Sequence, residues 1–264
     1  MPKQKGIIKL KGTLNGMCYY QLNGKDVVRK AVGPSRERIN TDPAFANVKS
    51  NNQEFAAASK LSKAIRQGLG ANAKQFKDTY MASRLTGACR KIIQKGSGNL
   101  GQRDANVHNH PEALVGFQLN KAIPLTQLYT AKPVVSANNQ RTTITVNIAK
   151  SAAHHLKQKP TKATHVQMTV ALSTVSSYQW QPEENNYKAT HPEQNGLGST
   201  KQTPPLACAT EHSNLNLQLQ TPITENSEEN IAITVWLGIT YLQEQNHQYL
   251  PIQTPQAMQC IAVV

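Results

Sequence analysis

The chain has 264 residues, enough for one large domain or two small ones with a proper core. Its apolar fraction of 38% suits a folded protein, and its formal charge is +14. No window approaches the roughly 18 apolar residues of a membrane-spanning helix. The four cysteines, Cys18, Cys89, Cys208 and Cys260, lie too far apart for a zinc or redox motif or a disulfide framework. They are expected to be reduced, mostly buried small hydrophobes.

The charge is unevenly spread. Residues 1–110 hold 20 Lys/Arg against 6 Asp/Glu, whereas residues 111–264 hold 9 of each. A surplus of this kind is either a solvated face or the footprint of an anionic partner: nucleic acid, an acidic protein or a membrane surface. With no run of five consecutive basic residues, it is a dispersed surface and not a tail. The apolar run in MPKQKGIIKLKG breaks at Lys9, so no secretory signal is expected. Synthesis in the cytoplasm follows, with release of an assembly left open.

In chain order, Leu14-Asn-Gly16 and Leu22-Asn-Gly24 come first. Asn-Gly between β-rich runs is the strongest short hairpin signal, because both residues tolerate the positive φ of a type I′ turn. Two such turns predict a three-stranded meander over about 6–13, 17–22 and 25–31. Gly24-Lys25 is not a phosphate loop, since Gly16 and Gly24 are too far apart and Asp26 follows the lysine. Thr41-Asp42-Pro43 predicts a helix start. Phe45, Val48, Phe55, Ala58, Leu61, Ile65 and Leu69 then keep close to a 3.6-residue period, although Asn51-Asn52 leaves open a division into two shorter helices. A second helix is predicted over 72–95, with Phe76, Tyr80, Met81, Leu85, Cys89 and Ile92 inward. The two make an antiparallel pair with basic outer faces.

Beyond a mixed connection the period changes to two. Ile144, Val146 and Ile148, then Val166 to Leu172, Leu215 to Leu219, Ile231 to Tyr241 and Cys260 to Val264 predict strands of an antiparallel β-sandwich, Ig-like or similar. Residues 181–207 read as a long polar loop. The expected class is therefore α+β, with a basic module over 1–110 and the sandwich over 111–264. The chain holds 22 Asn and 24 Gln, and outward strand positions favour Thr, Asn and Gln over charge. Charges normally keep sheet edges from pairing, so this composition points to edge-to-edge assembly.

Catalytic signals are weak. Gly96-Ser-Gly98-Asn-Leu-Gly101 matches G-x-G-x-x-G, but it follows a helix instead of a strand, so a helix end explains it better. His108, His110 and Glu112, with His154-His155, are the histidine clusters; neither supplies a full ligand set, so no metal or other cofactor is expected. Glu183-Glu184 and Glu228-Glu229 read as solvated pairs. No nucleophile elbow occurs, and no enzyme is expected.

The segments GIIKLKGTLNGMCYYQLNGKDVVRK, INTDPAF and NNQEFAAASKLSKAIR, followed by LGQRD and ALVGFQLN, carry a resemblance across residues 5–120. Over that stretch the chain resembles an uncharacterised family of bacterial proteins of similar length. The resemblance implies that the meander and the helix after it form a shared module bearing a variable β domain; it implies no activity.

The leading expectation is a non-enzymatic structural protein, a filament, sheath or shell subunit that pairs with itself. The assembly strands would be Ile7, Ile8 and Leu10 at one end and Cys260, Ile261 and Val263 at the other. The alternative is nucleic-acid binding by residues 1–95. Either way the basic surface would comprise Lys25, Arg29, Lys30, Arg36, Arg38, Lys60, Lys63, Arg66, Lys74, Lys77, Arg84, Arg90 and Lys91. Nucleic acid or an acidic protein would be its anionic partner.

Overall fold

A computed structural model describes residues 2–31, 33–223 and 230–264. The fold mixes helix (26%) with strand (39%) in several antiparallel sheets, in line with the expected mixed class. Two compact units are present, Met1–Lys49 and Ser50–Val264, so the division falls well before the expected boundary near residue 110. The Glu228-Glu229 pair lies outside the described residues.

In the first unit, β1 (Gly12–Leu14), β2 (Met17–Leu22) and β3 (Lys25–Lys30) form the predicted meander in the order β1-β2-β3. Asn15 and Gly16 have φ of 48° and 72°, and Asn23 and Gly24 have 49° and 74°, the paired positive values a type I′ turn requires. The first strand is shorter than predicted. Residues 2–4 turn back along the outer edge of β3, where Val28 N donates to Pro2 O and Gln4 N to Asp26 O. The intervening loop is tied at its neck by the Gln4 side chain, which accepts from Leu10 N at 2.9 Å and donates to Leu10 O at 3.2 Å. Ile7 and Ile8 are therefore a loop tip and not a strand. After the meander come α1 (Arg36–Thr41), N-capped by Ser35, and a single 3-10 turn capped by Asp42.

The second unit carries α2 (Ala46–Leu69), which begins just before it and runs unbroken through Asn51-Asn52. The predicted second helix is two: α3 (Ala71–Gln75) and α4 (Met81–Lys95). The short α5 (Leu125–Leu128) follows. The strands are β4 (Val134–Ala137), β5 (Thr143–Ser151), β6 (His165–Ser176), β7 (Tyr178–Gln181), β8 (Asn186–Ala189), β9 (Gly198–Gln202), β10 (Leu206–Ala207), β11 (His212–Gln220), β12 (Ile231–Gln245) and β13 (Gln248–Val263). One sheet runs β10-β6-β12-β13 with β9 also on β6, a second runs β11-β5-β4, and β7-β8 is a hairpin. The expected loop 181–207 thus carries three short strands, β8, β9 and β10, and the end of β7, with the remaining residues connecting them. Its uncharged polar side chains stand on short strands, where the two-residue period is too brief to read.

The centre of this unit is β6 and β12, buried on both faces. Ile231, Ile233, Val235, Leu237, Ile239 and Tyr241 join Val166, Met168, Val170 and Leu172 in one cluster, together with Ile144, Val146, Ile148, Leu217 and Leu219 of the β11-β5-β4 sheet. The alternate positions Ala171, Val175, Ala232 and Trp236 join Leu61, Ile65, Phe76, Leu85 and Ile92 of the helical segment in another. The Thr and Ser residues on that face are consequently not outward. Thr169, Ser173, Thr234 and Thr240 are buried, and Thr234 Oγ1 donates to Ser173 O while accepting from Trp236 Nε1 at 2.9 Å. Small residues let the helix approach: a Cβ on Gly68 would lie 2.2 Å from Ser173 Oγ, and one on Gly198 would lie 1.8 Å from Gly68 O. The expected solvent face of uncharged residues is, on these two strands, a helix-packing face.

Candidate interaction surfaces

Among the described residues of the second unit, one ion pair has a fully buried member, Glu54 with Arg103. Glu54 is fully buried on α2, and its carboxylate accepts from Arg103 Nε and Nη2, both at 2.7 Å, and from Gly101 N at 2.9 Å. Burial alone would raise this carboxyl; the bonds from Arg103 and Gly101 and the charges of Arg103 and Arg90 outweigh it and hold Glu54 below its ordinary value. Tyr187, on β8, donates from its hydroxyl to the carbonyls of Gly101 and Arg103. Gly101, at φ +92°, is the last glycine of the G-x-G-x-x-G match, and its Cβ would lie 2.8 Å from Ser50 atoms. These glycines follow α4, a helix and not a strand, and Gly101 closes the loop against α2. The sequence reading missed Glu54, although it stands four residues before Ala58 and seven before Leu61, on the apolar stripe itself. Val48 and Phe55, expected inward, are exposed instead.

The basic residues divide into three kinds. Lys60, Arg84 and Arg90 each bond other parts of the fold. Lys60 Nζ donates to Asn186 Oδ1 at 2.8 Å and to Tyr187 O, and burial pulls its pKa below the ordinary lysine value. Arg84 pairs with Asp78 at 2.7 Å, donates to the carbonyls of Gln118 and Leu119, and stacks over Phe117. Arg90 Nη2 donates to Asn51 Oδ1 at 3.0 Å. A second group, Arg66, Lys74 and Lys77, lines a single cleft of about 250 Å³ with Asp78 and Met81. The third group is dispersed: Lys63 and Lys91 are exposed on α2 and α4, and Lys25, Arg29, Lys30, Arg36 and Arg38 are exposed in the first unit. There Arg29 lies over the Tyr20 ring at 5.7 Å, and Arg38 bonds Asp42 and covers Phe45.

The proposed assembly strands also fare differently. Ile7, Ile8 and Leu10 are 102%, 80% and 41% exposed. Cys260 is fully buried, and its edge is taken: Gly116 N donates to Cys260 O at 2.8 Å, Cys260 N to Phe117 O at 3.0 Å, and Leu119 N to Met258 O at 2.9 Å. Ile261 and Val263 are half-buried at the end of β13, whose partner along Thr234–Gln245 is β12. The C-terminal strand is therefore an internal part of this sheet at Met258–Cys260. Deleting residues 258–264 should open the core, since Met258 and Cys260 are fully buried in it.

His110 Nδ1 lies 3.8 Å from Glu112, and His155 Nδ1 accepts from Ala152 N at 3.1 Å with its ring 4.0 Å from that of His154. Among the described residues no group of three His, Cys, Asp or Glu is placed to hold a metal. Glu184 pairs with Lys188, while Glu183 is exposed. All four cysteines are free, and burial pushes the Cys89 thiol up to about 12. No described helix is long and apolar enough to cross a membrane. No protein-family model matches the chain, and no curated protein matches its sequence.

Proposed function

We propose that the chain is a non-enzymatic structural subunit that assembles with copies of itself through its N-terminal unit. The observation that supports this is the packing deficit of residues 1–49. Among the described residues of that unit, Val27 is the one buried hydrophobic side chain, while Ile7, Ile8, Leu10, Leu14, Leu22 and Val48 are exposed. A three-stranded sheet without a covered face is marginal in water, so such a unit gains most from a second surface. Residues 2–4 occupy the β3 edge, which leaves β1 as the edge without a partner strand among the described residues, and all three β1 residues are exposed. Antiparallel pairing of β1 with β1 of a second copy is self-complementary, and this argues for a like partner. The finer architecture belongs to the same reading: the two larger sheets packed as a sandwich, with α2 and α4 as an antiparallel pair over one face. Electron microscopy of the purified chain, with its molar mass in solution, tests the proposal. Regular assemblies or a defined oligomer support it, and a stable monomer across the micromolar range contradicts it.

A second reading is favoured by one observation, the convergence of Arg66, Lys74 and Lys77 on one cleft, which suits an anionic partner such as nucleic acid. It predicts binding to DNA or RNA that falls steeply with salt. An absorbance ratio typical of pure protein, with no retention on immobilised DNA or RNA at low salt, would refute it.

A further inference from the structure

The second unit contains a polar cleft that neither reading uses. Its volume is about 360 Å³, and it is lined by Lys95, Gly96, Ser97, Asp104, Asn106, Asn109, His110, Ser177, Gln179 and Asn230. No Leu, Ile, Val, Met, Phe, Tyr or Trp lines it, which is unusual, because most small-molecule pockets are predominantly apolar.

The walls are rigidly set. Gly96 ends α4 in an extended conformation, and a Cβ there would lie 1.9 Å from Asp104 O, so the loop after the helix closes tightly. Ser97 Oγ donates to Asp104 Oδ2 at 2.8 Å, and Asp104 N to Ser97 O at 2.8 Å. Ala105 and Tyr178 exchange both backbone hydrogen bonds, which fixes the loop to the start of β7. Asn106 Oδ1 accepts from His108 N and Asn109 N, leaving its amide nitrogen toward other partners. Ser177 is held by Asn230 O through both N–H and Oγ.

What remains available is a mixed set. Asp104 keeps one carboxylate oxygen, and Asn106 keeps its NH₂. The side-chain amides of Asn109, Gln179 and Asn230 have no partner among the described residues, and each offers both a donor and an acceptor. The two charges of opposite sign at the rim, Lys95 and Glu112, neutralise each other at 2.5 Å. Asp104 is then the one carboxylate of the lining with no ion-pair partner among the described residues, which disfavours an anion, and a ligand whose every polar group both donates and accepts suits the amides best. Vicinal hydroxyls have that property: a carboxylate accepts from them while amide NH₂ groups donate to them.

We infer that this cleft binds a neutral polyhydroxylated ligand of the size of one sugar ring. The test uses the full chain and saturation-transfer NMR with D-glucose, D-galactose, D-mannose and N-acetyl-D-glucosamine, each at about 10 mM, tenfold above a millimolar Kd. Glycine and L-glutamate serve as charged controls. Transfer to at least one sugar is expected, with affinity reduced about fivefold by Gln179→Ala and further by Asn109→Ala. Neither side chain bonds another described residue, so both variants should keep the wild-type circular dichroism. Three results would overturn the inference: no transfer to any of the four sugars, transfer that the double variant leaves unchanged, or stronger transfer to the charged controls.

Discussion

Replacing Glu54 with Gln keeps the volume at the centre of the α2 contact and removes the charge. Gly101 N can still bond an amide oxygen, but the second Glu54 oxygen becomes an NH₂ facing Arg103 Nη2, donor against donor. Breaking a buried pair by neutralising one partner costs about 3–5 kcal/mol, because the other charge is left without compensation. The Arg103 side chain is 20% exposed and retains a bond from Nη1 to Gln94 O, so the low end, about 3 kcal/mol, applies. For a chain of this size that corresponds to roughly 6–12 °C in Tm, measured by circular dichroism at neutral pH. The pH dependence checks the cause. Glu54 has a folded pKa below its unfolded value, so its stabilisation is present above the unfolded carboxylate pKa and is lost as pH falls through the folded one. The gap between wild type and Glu54→Gln should therefore close on acidification. A gap below about 0.5 kcal/mol at neutral pH, within the range of ordinary surface substitutions, would refute the reasoning.

Three further outcomes follow from the same packing. Trp236→Ala removes a fully buried indole that donates to Thr234 and meets Phe117 edge-on at 6.2 Å, and should cost about 4 kcal/mol in urea unfolding. Two glycines should behave oppositely: Gly68→Ala forces a Cβ to within 2.2 Å of Ser173 Oγ and should cost roughly 3 kcal/mol, whereas Gly87→Ala on open α4 surface should add about 0.8 kcal/mol. With a thiol-reactive disulfide reagent, Cys18 should react in the native protein, while Cys89, Cys208 and Cys260 should react only on unfolding, since they are buried.

The parts of the fold legible in the sequence are those set by local chemistry. Asn15-Gly16 and Asn23-Gly24 required positive φ and adopted it, and the alternation in Ile231–Tyr241 marked the longest apolar strand. The missed parts depend on partners distant in sequence. Thr and Ser on β6 and β12 read as solvent-facing, because a small residue under a helix and a polar residue in water look alike in a two-residue period. The first half of β13 holds Pro251 and Pro255, which a strand tolerates at a sheet edge and which hide it from a propensity reading. Lys60 and Arg90 could not be told from free cations, since their partners Asn186 and Asn51 lie 126 and 39 residues away; Arg84 has its ion-pair partner Asp78 six residues upstream, but its carbonyl partner Gln118 lies 34 residues on. The polar cleft gathers four separate segments, and although Gly96 and His110 stood in patterns visible in the sequence, neither pattern pointed to the other segments.

The account turns on whether the exposed apolar residues of the N-terminal unit meet another copy. Multi-angle light scattering on the eluting protein, comparing wild type with the double variant Ile7→Asp and Ile8→Asp, measures this most directly. Both side chains stand at a solvent-exposed loop tip, so the variant should fold as wild type does. The account predicts a wild-type mass at a multiple of 29.0 kDa, with the variant shifted toward a single chain. A wild type that elutes as one chain, or an oligomer that the two aspartates leave intact, would contradict it.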